Sequence, residues 1–102
     1  MTRFTETGKS DTLRTGQSFE ILLVENPSTG FQWKIVVNGE PVSKITADEF
    51  RPGAAVGGQG THYWQFHTIE PGESSIEMEL RRASNAPAAA AQTFKVKVFV
   101  TP

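Results

Sequence analysis

Cysteine is missing from this sequence of 102 residues. Its absence excludes disulfide frameworks, thiolate metal sites and cysteine nucleophiles, but a cysteine-free domain suits reducing and oxidising compartments alike. An excess of one charge is missing too, because ten Lys and Arg side chains oppose eleven Asp and Glu, for a net charge of −1. With no long run of either sign, this balance argues against a nucleic acid or a membrane surface as the partner.

Long apolar stretches are also lacking. No segment approaches the run of about eighteen apolar residues that a membrane-spanning helix needs. The opening residues MTRFTETG hold no apolar core of a signal peptide. The chain is therefore expected either to act in the cytoplasm, where it is made, or to be the mature form of a periplasmic or secreted protein. We expect a single domain over 1–102, monomeric, with residues 1–10 poorly ordered.

Alternation of apolar and polar residues, the mark of a strand with one buried face, dominates the chain. No segment carries an amphipathic helical stripe over three turns. The pattern therefore predicts an all-β fold, an antiparallel immunoglobulin-like β-sandwich of about seven short strands. The clearest alternating runs are Phe19–Val24, Phe31–Val37, residues 61–69, Ile76–Leu80 and Phe94–Val100.

Turn signals separate these runs. Asn38-Gly39 predicts a type I′ β-hairpin, because both central residues of that turn need positive φ. A weaker strand is predicted around Val42–Thr46, with residues 48–53 leading away from it. Pro71-Gly72 predicts another turn.

Catalytic groups are scarce. His62 and His67 lie five positions apart on one predicted strand, so they point to opposite faces and are interpreted as ordinary sheet-surface or barrel-rim histidines. Glu77 and Glu79 share a face, where pairing with basic residues of a neighbouring strand explains them better than a catalytic pair does. The glycines at 57–60 precede a strand and lack the Lys and helix of a phosphate loop. The sequence therefore predicts no enzyme, no metal site and no cofactor.

A stiff turn is predicted between the strands Phe19–Val24 and Phe31–Val37. In turns, Asn and Ser hydrogen-bond their own backbone, Pro fixes its φ, and Gly accepts positive φ. A rigid projection with small side chains at its tip suits insertion into the cleft of another protein. We call this segment the first loop; its residues are Asn26, Pro27, Ser28, Thr29, Gly30 and Phe31.

With Trp33 close behind it, the first loop resembles the signature of the chagasin-like inhibitors of papain-type cysteine proteases, which reads Asn-Pro-Thr-Thr-Gly-Phe/Tyr. Two further family loops have counterparts here, and the resemblance runs from about Thr12 to the closing strand. The second loop, Gly-x-Gly-Gly-Thr before a strand with Trp or Phe, is similar to Gly57, Gly58, Gln59, Gly60 and Thr61, with Gln59 at a family glycine. The third loop, Arg-Pro-Trp/Phe, aligns with Arg82, Ala83 and Ser84, where only the arginine matches.

The resemblance implies a reversible inhibitor whose partner is a papain-like cysteine protease and whose three loops, at one end of the sandwich, occlude the active-site cleft. It places Ser28, Thr29 and Gly30 at the tip of the first loop, and lets the glycines of the second loop approach the protease backbone. Arg82 is expected at the rim, hydrogen-bonding the enzyme or bracing neighbouring loops. An alternative, motivated by the altered third loop, is a module of the same fold that binds a non-protease partner.

Two tryptophans and two phenylalanines near the loops have a structural interpretation. Phe31 is expected to be a core residue at the start of its strand. For the other three aromatic residues we favour a place in the core over direct contact with a partner. These residues are Trp33, Trp64 and Phe66.

Overall fold

Eight strands and one short 3₁₀ helix make up the computed structural model, which describes residues 1–53, 58–82 and 90–102. No helix of this described part is long or apolar enough to cross a bilayer. In chain order the strands are β1 (Thr2–Phe4), β2 (Lys9–Arg14), β3 (Ser18–Glu25), β4 (Phe31–Asn38), β5 (Ser43–Arg51), β6 (Gly60–Thr68), β7 (Gly72–Arg82) and β8 (Gln92–Thr101); the 3₁₀ helix is Pro27–Thr29.

Two four-stranded sheets form a sandwich, with strand orders β1-β3-β6-β5 and β2-β8-β7-β4. Alternate residues of both sheets meet in one core, as the sequence predicted, and Phe19 stacks on Phe66 at its centre with ring centroids 5.0 Å apart. Four strand pairs are antiparallel, whereas β1 with β3 and β2 with β8 run parallel. The fully buried apolar side chains of the core are Phe19, Ile21, Trp64, Phe66, Ile76, Met78, Val96 and Val98.

The first two strands add to the six strand segments located in the sequence and give eight in the described residues, where about seven were predicted. Alternation did not reveal them, because β1 has only three residues and β2 buries only Leu13. The segment expected to be poorly ordered contains all of β1, whose Phe4 packs its ring against the edge of Phe19 at 5.9 Å. Parallel pairing at a sheet edge thus extends the core beyond the alternating runs.

The hairpin predicted at Asn38-Gly39 is wrong. A two-residue hairpin joins neighbouring strands of one sheet, but β4 pairs with β7 and β5 pairs with β6. The link therefore crosses between the sheets. Gly39 does have positive φ, at 84°, and its carbonyl oxygen accepts from the buried Ser74 hydroxyl, which also bonds Ser43 at 2.7 Å. This buried hydroxyl pair fixes the crossing where the sequence indicated a turn.

Gly39→Ala is expected to lower the free energy of unfolding by about 2–4 kcal/mol, since the substitution adds strain at positive φ and crowding in the core. A Cβ at Gly39 would lie 2.5 Å from the hydroxyl oxygens of both Ser43 and Ser74. Urea denaturation measures the loss. Gly16→Ala is the matched control, because Gly16 has φ of 95° and its Cβ would meet no described atom within 4 Å. Equal losses in the two variants would contradict the role given to packing.

The strand β5 is longer than predicted. Pairing with β6 continues to Arg51, although residues 48–53 were expected to lead away. The reason is a register shift between Ile45 and Ala47, which changes the phase of the alternation within the strand. Beyond it, Asp48 and Phe50 lie opposite Trp64 and His62. The shift therefore brings a carboxylate to a histidine at one end of the sandwich.

Candidate functional site

The ends of the three predicted loops lie together at one end of the sandwich. In the first sheet, the last residue of β3, Glu25, pairs with Gly60, and the last residue of β5, Arg51, pairs with Thr61. In the second sheet, the first residue of β4, Phe31, pairs with Arg82 at the end of β7. Since the first loop joins β3 to β4, it connects the two sheets across this end.

The first loop is held by hydrogen bonds within itself. The Asn26 side-chain oxygen accepts from the Ser28 backbone N–H at 3.1 Å and from the Ser28 hydroxyl at 2.6 Å. The Thr29 hydroxyl donates to the Asn26 carbonyl at 2.7 Å, and Gly30 N–H donates to Pro27 at 3.1 Å. Gly30 ends the 3₁₀ helix with φ of 80°. The tip, Pro27 to Thr29, is exposed, so the loop is a self-supported projection with small side chains.

Arg82 lies beside the first loop. It is the register partner of Phe31, and its guanidinium is 5.2 Å from the centroid of the Phe31 ring, a distance that permits a cation–π contact. The interpretation of Phe31 as a core residue is wrong, because its side chain is only half-buried and lies outside the core cluster. Phe31 lies on β4, the edge strand of its sheet, and Arg82 lies over its ring. Arg82 therefore braces the point where the first loop enters β4.

The second loop is described from Gly58 onward, and Gly57 lies outside the described residues. Gln59 is exposed, whereas Gly60 is buried as the first residue of β6, followed by Thr61. A Cβ on Gly60 would lie 2.5 Å from both the Arg51 carbonyl oxygen and the Phe50 ring. Packing on β5 thus requires this glycine. In the third loop, Ala83 and Ser84 lie outside the described residues.

Trp33, Trp64 and Phe66 lie in the core, as the sequence predicted. Trp33 also supports the first loop from below, because its indole N–H donates to the carbonyl of Val24 at 3.0 Å. The indole thereby ties β4 to the strand on the other side of the first loop.

A partly buried hydrogen-bonded network that the sequence did not predict lies beneath the loops. Glu25 is only 6% exposed, and one of its carboxylate oxygens accepts from the Trp33 backbone N–H at 2.7 Å. Its other oxygen is 3.0 Å from Nδ1 of His62, whose Nε2 is 2.5 Å from an oxygen of Asp48. The His62 ring stacks on Trp64, with centroids 3.9 Å apart. The network joins four strands at the base of the first loop.

His62 was expected to be an ordinary surface or rim histidine, and that interpretation is wrong because the ring is enclosed between two carboxylates and an indole. One sequence signal could have indicated it: Glu25 follows Phe19, Ile21 and Leu23 at inward-facing positions, where a charged residue needs a partner. Within the described residues, no group of His, Asp and Glu is arranged to hold a metal. Here the imidazole stands between the two carboxylates instead of converging with them on one point.

The opposite face of the same sheet carries a second polar cluster. Arg3 donates to Glu20 at 2.7 Å and thereby holds the pKa of Glu20 below its usual range. Burial, followed by the hydrogen bond to Glu20, raises the pKa of Tyr63. Arg51 lies over the Tyr63 ring at 4.0 Å and pairs with Glu49 at 2.7 Å. These groups satisfy one another on the outer face.

Comparison with known proteins gives consistent matches over almost the whole chain. The family model described as chagasin family peptidase inhibitor I42 matches residues 12–98. Amoebiasin-1 of Entamoeba histolytica is 35% identical over 92 residues, which cover 87% of each chain.

Solved structures share the fold. The cysteine protease inhibitor EhICP2 of Entamoeba histolytica superimposes with a TM-score of 0.85 at 17% identity, covering 98% of this chain and 94% of its own. The solution structure of Amebosin gives 0.71 at 30% identity, with 98% and 97% covered. PbICP-C, solved in complex with falcipain-2, gives 0.70 at 18% identity, with 99% and 100% covered. The family match and these relatives show that the chain belongs to the chagasin family of peptidase inhibitors.

Proposed function

We propose that this chain is a reversible inhibitor of papain-like cysteine proteases and that it occludes their active-site cleft with three loops at one end of the sandwich. The observation that carries the proposal is the first loop, an exposed projection whose shape is fixed by its own hydrogen bonds. Two structural neighbours support the class of target: EhICP2 is a cysteine protease inhibitor, and PbICP-C was solved in complex with falcipain-2.

Rigidity of the first loop favours binding. A loop that is ordered before association loses less conformational entropy when it enters a cleft. Pro27 restricts the unbound chain, and Asn26 holds the turn through two bonds to Ser28. Ser28 and Thr29 keep the tip narrow, since both side chains are small and their hydroxyls donate within the loop. We therefore assign the tip to the space beside the catalytic cysteine and histidine of the enzyme.

The other two loops flank the first. The second loop leads into β6, whose first residue, Gly60, pairs with Glu25 at the start of the first loop. It therefore extends the contact surface on the side of the first sheet. On the side of the second sheet, Arg82 lies over the Phe31 ring and is exposed to solvent. Binding then uses backbone groups and small side chains, and no strained peptide bond is offered for cleavage.

Titration of papain, or of a cathepsin-L-like protease, with the protein tests this function. Activity should fall to zero in proportion to added protein, and the chain should be recovered uncut by mass spectrometry. Gel filtration of the mixture should show a complex of one copy of this chain with one copy of the protease. Full protease activity at micromolar protein would contradict the proposal and favour a binding module with a non-protease partner.

A further inference from the structure

We infer that His62 is a positioning residue which orders the base of the first loop, and that it does so more strongly at mildly acidic pH than at alkaline pH. The effect on inhibition rests on the proposed function, because it takes the first loop to be the part that enters the protease. The effect on the order of the loop stands independently of that function.

The argument begins with Glu25, the residue immediately before Asn26. Its carboxylate joins the two strands that flank the first loop, because Glu25 ends β3 and its Oε2 accepts from the backbone N–H of Trp33 on β4. Its other oxygen contacts His62 on β6 at 3.0 Å. A carboxylate that is 6% exposed has little water to replace a lost donor, so both contacts matter for where it lies.

His62 lies between two acceptors. Nδ1 faces Glu25, and Nε2 faces Asp48 at 2.5 Å. An ionised carboxylate only accepts hydrogen bonds, and a neutral imidazole has a single N–H. A neutral ring therefore directs one nitrogen lone pair at a carboxylate oxygen, whereas the doubly protonated ring donates to both. The arrangement is complete only with the imidazolium.

Among the described residues, the charged groups in contact with His62 are Glu25 from β3 and Asp48 from β5, while β4 contributes the uncharged Trp33 beside Glu25. On its own strand the ring stacks on Trp64, which holds its plane. The remaining charges nearby lie on the outer face, where they pair with one another: Arg3 with Glu20, and Arg51 with Glu49.

The direction of the pH effect follows from these contacts. Only the doubly protonated ring donates to both Glu25 and Asp48. Lower pH favours the imidazolium, so acidic pH favours the arrangement with two donors and alkaline pH favours the arrangement with one. When the hydrogen bond from His62 to Glu25 is lost, Glu25 holds β3 and β4 together less firmly. The first loop is then less ordered in the free protein and must become ordered when it binds.

The first test compares inhibition constants for the wild type, His62→Gln and a matched control, His67→Gln. His67 is on the same strand but on the opposite face, where its Nδ1 is 3.0 Å from the Ser18 hydroxyl. Each variant is expressed as a ratio to the wild type at the same pH, so that titration of the protease itself cancels. We expect His62→Gln to weaken inhibition by about three- to tenfold near pH 5.5 and by less than about twofold near pH 8.

The control should stay within about twofold of the wild type at both pH values. A loss for His62→Gln that is the same at both values would overturn the inference, because a purely structural role predicts no pH dependence. Equal inhibition constants for His62→Gln and His67→Gln would overturn the effect on inhibition, and the second test then decides whether His62 orders the loop.

The second test needs no protease and no variant. Amide hydrogen exchange of the free wild-type protein, corrected for the intrinsic pH dependence of exchange, is followed at Thr29, Gly30 and Trp33. Protection of these amides should fall by about threefold or more between about pH 5.5 and pH 8. Unchanged protection would overturn the inference. Protection that falls without any change in inhibition would support the role of His62 and would contradict the proposed entry of the first loop into the protease.

Discussion

Thr29→Arg is expected to weaken inhibition of a papain-like protease by about a hundredfold or more, because a long charged side chain at the tip must lose its water inside a narrow cleft. Thr29 is exposed, and its side-chain hydrogen bonds to described residues stay within the first loop, to the Asn26 carbonyl and the Phe31 N–H. The melting temperature should therefore change by no more than about 3 °C. The inhibition constant and the thermal transition measured on the same preparation check both statements.

Thr29→Ser provides the control for this variant. Serine keeps the hydroxyl that donates to Asn26 and removes one methyl group, so inhibition should stay within about threefold of the wild type. If Thr29→Arg inhibits as well as the wild type does, the assignment of the tip to the cleft is wrong. If Thr29→Ser is as weak as Thr29→Arg, the loss of the Thr29 methyl group is enough to weaken binding, and the added bulk and charge of arginine are not the cause.

Restoring the family pattern in the third loop is expected to tighten inhibition by about ten- to hundredfold, since a buried aromatic anchor often contributes a few kcal/mol to an interface. The change is Ala83→Pro together with Ser84→Trp, which places Pro and Trp after Arg82. Proline also restricts the free loop, so less conformational entropy is lost on binding. Dissociation rates measured by surface plasmon resonance should account for most of the gain.

A second double variant separates the two contributions. Ala83→Pro with Ser84→Gln carries the proline without the aromatic ring, and it should recover only a small part of the gain. If the tryptophan variant binds no more tightly than the wild type, the third loop does not reach the protease in this protein. The main contribution of Arg82 would then be its contact with the Phe31 ring, which supports the first loop.

Strand alternation explains how much of the fold could be predicted. Residues such as Phe19 and Val96 alternate with polar neighbours and are fully buried, so the sandwich followed from pattern alone. Family membership confirms the predicted inhibitor and excludes the enzyme class that the sequence had already disfavoured. The pattern could not say which strands pair. Asn38-Gly39 has the local chemistry of a hairpin, yet the apolar faces it separates belong to opposite sheets.

The candidate site, like the fold, could be predicted from the sequence only in part. The first loop was predictable because its hydrogen bonds connect residues at most three positions apart, between Asn26 and Gly30. The network around His62 was not, because its members come from β3, β5 and β6 and meet only through pairing. The register shift in β5, which aligns Asp48 with that network, has no signal in the local sequence.

The direction of the outermost strands has a practical consequence. Thr2 pairs with Phe19, near the start of β3. Thr101 pairs with Arg14 of β2 and lies just beyond the level at which β7 begins. Both residues therefore lie at the end of the sandwich away from the loops. A fluorophore, a biotin or a fused carrier attached through residue 1 or residue 102 is therefore held at the end opposite the loops. Immobilised through either residue, the protein would present all three loops to solution in one orientation.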